Sequence, residues 1–181
     1  MTDRQEIENL ILEYPIYQYV FLRPEDVMFT ERVRTICKQE CKRYGTSWSC
    51  PPAVGTVDEC RERTLGYTDV LFFSTVTEVA EILDMDQTLA TRGPHEEVTT
   101  EIEQLLASRG YRVLTLSSES CAICSKCAWL EGKPCRHPDV MHPCIESFGI
   151  VVSDLAEKGE MDYYLGEHEL LWFTLMFLGK D

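Results

Sequence analysis

The sequence has 181 residues, of which 44% are hydrophobic and 27% are charged, so it can bury the core of one domain. Its 17 basic and 31 acidic residues give a net charge of −14. This charge excludes the basic surface typical of nucleic-acid binding and opposes adsorption to anionic membranes. We therefore expect a single domain over residues 1–181. Its acidic surface suits either simple solvation or a basic protein partner.

The chain begins with a predicted helix and a predicted strand. Apolar residues at helical spacing predict a short amphipathic helix over residues 3–13, and Pro15 ends it. Aromatic and β-branched residues predict a strand over 16–22. Thr30 is placed to cap a second helix, which carries the first cysteine, Cys37.

Four cysteines follow in a helix–loop–helix unit, namely Cys37, Cys41, Cys50 and Cys60. The first two are four residues apart, so their sulfurs share one face of a helix. Four thiols suffice for a sulfur-ligated metal centre, and we therefore predict that residues 37–60 bind one. Cys60 has a second interpretation: a helix capped by Thr56 or Asp58 would carry it as a small, buried apolar residue.

A strand–helix–strand unit comes next. Residues 69–77 read as a largely buried strand, and residues 94–109 as a helix that Gly110 ends. Residues 111–117 form the second predicted strand, so a right-handed parallel crossover is expected. This strand leads the chain directly into Cys121.

The second cysteine group has a regular spacing. Cys121, Cys124 and Cys127 recur at every third residue, and Cys135 follows eight positions later. This spacing lets one loop hold three corners of a cubane iron–sulfur cluster while a more distant cysteine holds the fourth. With the earlier group, the sequence predicts two 4Fe-4S clusters. Zinc is the alternative at both sites, although four-cysteine zinc sites usually pair two C-x2-C knuckles.

Other side chains near the cysteines have expected roles in tuning a cluster. His137 and His142 flank the second group, and either is placed to donate a hydrogen bond to a cluster sulfur. The rings of Trp48 and Trp129 are expected to exclude water, and Arg136 offers a cation beside Cys135. Ordinary packing or surface exposure is the alternative for each of them.

The end of the chain returns to regular structure. A short helix is predicted around residues 144–148, and a further helix over 154–158 with Ser153 as its cap. Residues 161–164 are a candidate short strand, and residues 169–178 a long apolar one. The expected fold class is α/β of the mixed α+β kind. In it, a central mixed sheet of about four strands is flanked by helices, and the cysteine-rich segments 37–60 and 121–135 lie on loops at its ends.

Nine cysteines suit either a disulfide framework or metal binding, and the cellular compartment decides between them. The polar start of the chain, residues 1–6, lacks the apolar core of a signal peptide. The longest apolar run, residues 170–178, is too short to span a membrane. We therefore expect a cytoplasmic protein whose reduced thiols bind metal.

The motifs around the cysteines resemble those of one family. They are Cys41-x-x-Tyr44-Gly45-x-x-Trp48-x-Cys50-Pro51-Pro52, Glu59-Cys60, Cys121-x-x-Cys124-x-x-Cys127 and Gly132-x-Pro134-Cys135-Arg136-x-Pro138. The chain is similar over nearly its whole length to an uncharacterised prokaryotic family labelled "predicted metal-binding protein", and the resemblance implies metal binding without a defined activity. Cys144, the ninth cysteine, is expected to be an apolar filler, and a spare ligand or a reactive thiol are the alternatives. The family pattern has serine in its place, so the resemblance argues against Cys144 as a ligand.

Three functional hypotheses follow. The sequence has no glycine-rich phosphate loop, no G-x-S-x-G elbow and no H-E-x-x-H motif. An electron carrier that serves a redox partner protein agrees with this absence and with the ligand count. An enzyme or cofactor-maturation factor would need an iron with an open position, and hence a first site without Cys60. The third hypothesis is a structural or interaction protein held together by zinc.

Overall fold

A computed structural model describes residues 3–180. The helices and strands are, in chain order, α1 (Arg4–Ile11), β1 (Gln18–Leu22), α2 (Glu31–Glu40), α3 (Val57–Glu62), β2 (Asp69–Glu78), α4 (Met85–Ala90), α5 (Arg92–Ser108), β3 (Tyr111–Leu116), α6 (Val152–Lys158) and β4 (Glu169–Lys180). The strands lie where the sequence predicts them, and the mixed α+β class with a four-stranded sheet is confirmed.

The sheet has the strand order β1-β2-β4-β3, and each neighbouring pair is antiparallel. β2 and β3 therefore run parallel to each other, as expected for a crossover through α5, but β4 lies between them. The sheet is thus antiparallel where a mixed one was predicted. β4 takes this central position because its residues 171–179 are all buried, which requires a strand that is covered on both faces. Its insertion between β2 and β3 makes every neighbouring pair antiparallel.

Helices and loops cover both faces of the sheet. On one face, Ile7 and Ile11 of α1 and Ile102 and Leu106 of α5 pack against alternate strand residues such as Phe73. On the other face, the intervening strand residues pack against α3, α6 and the turn at 146–148; they include Val70, Phe72, Leu175 and Phe177. The first cysteine-rich segment, 37–60, packs on this second face through Val54 and Cys60.

Cap chemistry fixes the helices that bear cysteines. The Thr30 hydroxyl accepts a hydrogen bond from the Arg32 amide at 3.2 Å, as the sequence predicts, and α2 ends at the C-cap Cys41. Of the two candidate caps for α3, Thr56 is the one used, in a capping box with Glu59. The same box fixes the orientation of α3, and with it the direction of the Cys60 side chain.

Three predicted elements differ in the structure. The helix at 144–148 is shortened to a 3-10 turn over Glu146–Phe148, and α6 begins at Val152, so that Ser153 lies within it. Residues 161–164 form no strand, because the Asp162 amide and carboxylate bond the side chain of Gln18 instead of a strand ladder. The acidic stretch at 78–87 also contains a helix start that the sequence reading missed, where the Asp84 carboxylate caps α4.

Candidate metal sites

The second cysteine group surrounds one small cavity. The thiols of Cys121, Cys124, Cys127 and Cys135 all border it, and its volume is about 20 Å³, close to that of one water molecule. A 3-10 turn over Ala128–Glu131 and the left-handed residue Gly132 reverse the chain, so that Cys135 returns to the other three. The four predicted ligands of this group are therefore brought together.

The polar groups around this cavity contact both a cysteine sulfur and exposed residues. The His137 amide donates to the Cys135 sulfur at 3.4 Å, which is the kind of contact that tunes a metal-bound thiolate. Arg136 borders the cavity, yet it donates to the Lys126 carbonyl at 2.9 Å and lies 3.8 Å from Glu131. The charge of Arg136 is thus divided between the cavity and an exposed carboxylate.

The first cysteine group borders a larger cavity of about 420 Å³. Cys37 and Cys41 reach it from the end of α2, and Cys50 from the loop that follows. The Arg43 amide donates to the Cys41 sulfur at 3.4 Å. Burial raises the pKa of Cys37 to about 11, so metal binding there would release a proton at neutral pH.

Cys60, the fourth predicted ligand of this group, lies elsewhere. Its side chain is fully buried in the core beneath α3, and it does not border the cavity that the other three thiols share. Its thiol donates to the Val54 carbonyl at 3.4 Å. The structure therefore brings three of the four predicted residues together and separates the fourth from them.

Cys144 lies beside Cys50, and the sequence gives no indication that the two residues are close. It borders the same cavity and is 8% exposed. The neighbouring Cys144 thiol lowers the pKa of Cys50; the hydroxyls of Ser120, Ser47 and Ser49 add to this effect, and burial opposes it. No spacing rule links a lone cysteine at 144 to the group at 37–50, so sequence reasoning had no signal to use.

Three buried serines connect the two cysteine groups. The hydroxyls of Ser47 and Ser49 are 2.8 Å apart, and that of Ser120 lies 3.0 Å from Ser47. The Cys121 amide donates to the Ser49 hydroxyl at 2.8 Å. Because Ser49 directly precedes Cys50 in the chain, this single hydrogen bond links the first cysteine group to the second.

Two tryptophans tie the same segments together from outside. The rings of Trp48 and Trp129 meet edge to face with centroids 4.8 Å apart. The Trp48 indole donates to the Lys133 carbonyl, and the Trp129 indole to the Gly45 carbonyl, both at 3.0 Å. Trp48 also borders the cavity of the second group, which agrees with its expected role as a cover.

A third cavity, of about 580 Å³, lies next to both groups. It shares Glu119 with the first cavity and Cys121 with the second. His142 borders it, held 2.8 Å from Glu103 and 3.5 Å from Glu96. Burial alone would lower the pKa of His142, but the hydrogen bond to Glu103 and the charges of both carboxylates raise it to about 9. Both ring nitrogens of His142 are thus directed to carboxylates.

Among the described side chains, which are those of residues 3–84 and 87–180, no three histidine, cysteine or acidic groups converge as closely as a single ion requires.

Within the described part of the chain, no helix combines the length and the hydropathy needed to cross a bilayer.

Comparison with known proteins places the chain in a family. No curated protein and no solved structure matches it. A family pattern does match, over residues 20–178, a span that runs from β1 almost to the end of β4 and includes every cysteine. The chain therefore belongs to the family described as "predicted metal-binding protein (DUF2284)".

Proposed function

We propose that this protein binds two 4Fe-4S clusters and passes single electrons to a redox partner protein in the cytoplasm. The observation that carries the proposal is the hydrogen bond from the Cys121 amide to the Ser49 hydroxyl, because it joins the two cysteine groups by a short bonded path. A 4Fe-4S cluster supplies one-electron chemistry when bound. A net charge of −14 favours a partner with a basic docking surface.

The donor set of the second site fits a cubane cluster. Cys121, Cys124, Cys127 and Cys135 offer four thiolates at the spacing that iron–sulfur proteins use. Their shared cavity of about 20 Å³ is smaller than a cluster, so the loop has to widen when one is inserted. Apart from one 3-10 turn, the loop has no regular structure that would resist this change.

The donor set of the first site fits a cluster through Cys37, Cys41 and Cys50. Their cavity of about 420 Å³ lies within the range of sites that hold small-molecule ligands. Cys60 stays a predicted ligand that no observation tests directly. Its burial against Val54 supports leaving it out of the set.

A second candidate function is supported by the position of Cys60. With three thiolates, an iron of the first site would keep an open position, and the adjacent cavity of about 580 Å³ offers room for a substrate. An enzyme or cofactor-maturation factor would use such a site. The zinc alternative needs four sulfurs about 2.3 Å from one ion, and it stays open for both groups.

The decisive experiment is metal analysis of protein purified and reconstituted without oxygen. We expect about eight iron and eight acid-labile sulfide per chain, and electron paramagnetic resonance signals of two reduced clusters. Stoichiometric zinc without labile sulfide would contradict the proposal.

A further inference from the structure

We infer that Cys144 supplies the fourth thiolate of the first site, in the place predicted for Cys60. The inference rests on the proposed function, since it concerns the ligands of one of the two clusters. It gives the first site four protein sulfurs drawn from three separate segments of the chain.

The contacts of Cys144 carry the inference. Cys144 borders the same cavity as Cys50, and Cys37 and Cys41 reach that cavity from α2. A residue that only fills the core need not line a cavity shared by three other cysteines, whereas the ligands of one cluster must surround one space. The four thiols surround one cavity of about 420 Å³, which gives a cluster room between them.

The backbone holds Cys144 in this position from two sides. Its amide donates to the Ser49 carbonyl at 3.4 Å, which binds it to the residue preceding Cys50. Ser117 lies just beyond β3. Its carbonyl accepts from the Ile145 amide, and its amide donates to the Pro143 carbonyl, both at 2.9 Å. The thiol is thus presented by an extension of the sheet, which makes its position well defined.

The turn after Cys144 also fixes the helix with the other ligands. The Thr30 amide, at the cap of α2, donates to the Gly149 carbonyl at 2.7 Å. α2 and the turn at 146–148 pack against each other. The segments that carry Cys37, Cys41 and Cys144 therefore form one unit, and Cys50 lies against it.

Cys60 has no route to this site without disrupting the core. Its side chain is 0% exposed and packs within the apolar cluster that contains Phe72 and Phe148. Turning it outward would leave a void among these side chains, and the capping box of Thr56 and Glu59 resists rotation of α3. A structural role in the core accounts for all of its contacts.

The test compares two single substitutions, Cys144→Ala and Cys60→Ala, in protein reconstituted without oxygen. We expect Cys144→Ala to keep only about half of the iron and sulfide and to lose the first cluster's paramagnetic signal. A cooperative melting transition of the same sample shows that the variant is folded, and the retained signal of the second cluster shows that reconstitution succeeded. We expect Cys60→Ala to keep both clusters and to melt at a lower temperature, because it leaves a cavity in the core.

Three results would overturn the inference. The first is full metal content with unchanged signals in Cys144→Ala. The second is loss of half the iron in a folded Cys60→Ala. The third is a Cys50–Cys144 disulfide, found by mass spectrometry in protein purified without oxygen. If Cys144→Ala fails to fold, Cys144→Ser takes its place, and an unaltered first-cluster signal in that variant has the same meaning. Wild-type protein without labile sulfide would instead refute the proposed function itself.

Discussion

The two cysteine groups reach similar donor sets by opposite routes. The second group lies within one loop, where Cys121, Cys124 and Cys127 follow a fixed spacing and Cys135 returns after one turn. The first group takes its sulfurs from a helix, from a loop and, by our inference, from Cys144, which pairs with Ser117 just beyond β3. One site is therefore a property of local sequence, and the other is a property of the folded chain.

This contrast predicts that damage to the local site stays local. Cys124→Ala should lose the second cluster and with it about half of the iron, while the first cluster keeps its content and its paramagnetic signal. Ser125→Ala, at the neighbouring exposed position, is the matched control and should keep both clusters. Loss of both clusters in Cys124→Ala would show that the sites do not form independently.

The first site should instead depend on distant backbone contacts. Gly149 has φ +83°, and an added Cβ would lie 2.9 Å from the Thr30 carbonyl oxygen. We expect Gly149→Ala to lower the free energy of unfolding by about 3 kcal/mol in urea titrations and to reduce the occupancy of the first site more than that of the second.

Gly132 provides the matched control for this prediction in the second site. It has φ +65°, with nothing within 4 Å of an added Cβ. Gly132→Ala should therefore lose only about 1 kcal/mol, the strain of the left-handed backbone alone. Equal losses in the two variants would contradict the idea that a close backbone contact builds the first site.

One buried histidine of the core should make the stability of the fold sensitive to acid. His95 is buried between the hydroxyls of Thr75 and Thr174, and burial lowers its pKa to about 4. Between pH 6.5, the pKa of histidine in an unfolded chain, and pH 4, the imidazole is protonated in the unfolded chain but not in the folded one. The contribution of His95 to the free energy of unfolding is therefore present above pH 6.5 and is lost as the pH falls.

The expected contribution of His95 between pH 7 and pH 5 is a loss of about 2 kcal/mol in the free energy of unfolding. In urea titrations at the two pH values, the change on acidification should therefore be about 2 kcal/mol less favourable in the wild type than in His95→Gln. It should be the same in the wild type and in His168→Gln, which changes a surface histidine. An equal change in the wild type and in His95→Gln would contradict this prediction.

The smallest effect is expected at the tryptophan contact between the two groups. Trp48→Phe removes the indole bond to the Lys133 carbonyl, which should lower the free energy of unfolding by about 1 kcal/mol and speed the bleaching of the second cluster in air. Trp172→Phe removes a comparable bond to Thr91 and serves as the control. Its bleaching rate should match that of the wild type.

Several features of the fold could be predicted because they depend on neighbouring residues. The four strands follow from runs of apolar and β-branched residues, and the cap at Thr30 from the chemistry of one hydroxyl. The segment at 161–164 was predicted wrongly, because side-chain bonds from Gln18, distant in sequence, replace the ladder that its composition suggests.

The sequence by itself determined the fold class, the number of strands and the local grouping of the cysteines at 121–135. Only the tertiary structure decided that β4 lies between β2 and β3, that Cys60 belongs to the core and that Cys144 lies beside Cys50. The physical reason is that a thiol has the same short, weakly polar side chain in a core as at a metal site. Its role is set by which distant segments pack against it, and neither spacing nor composition records those contacts.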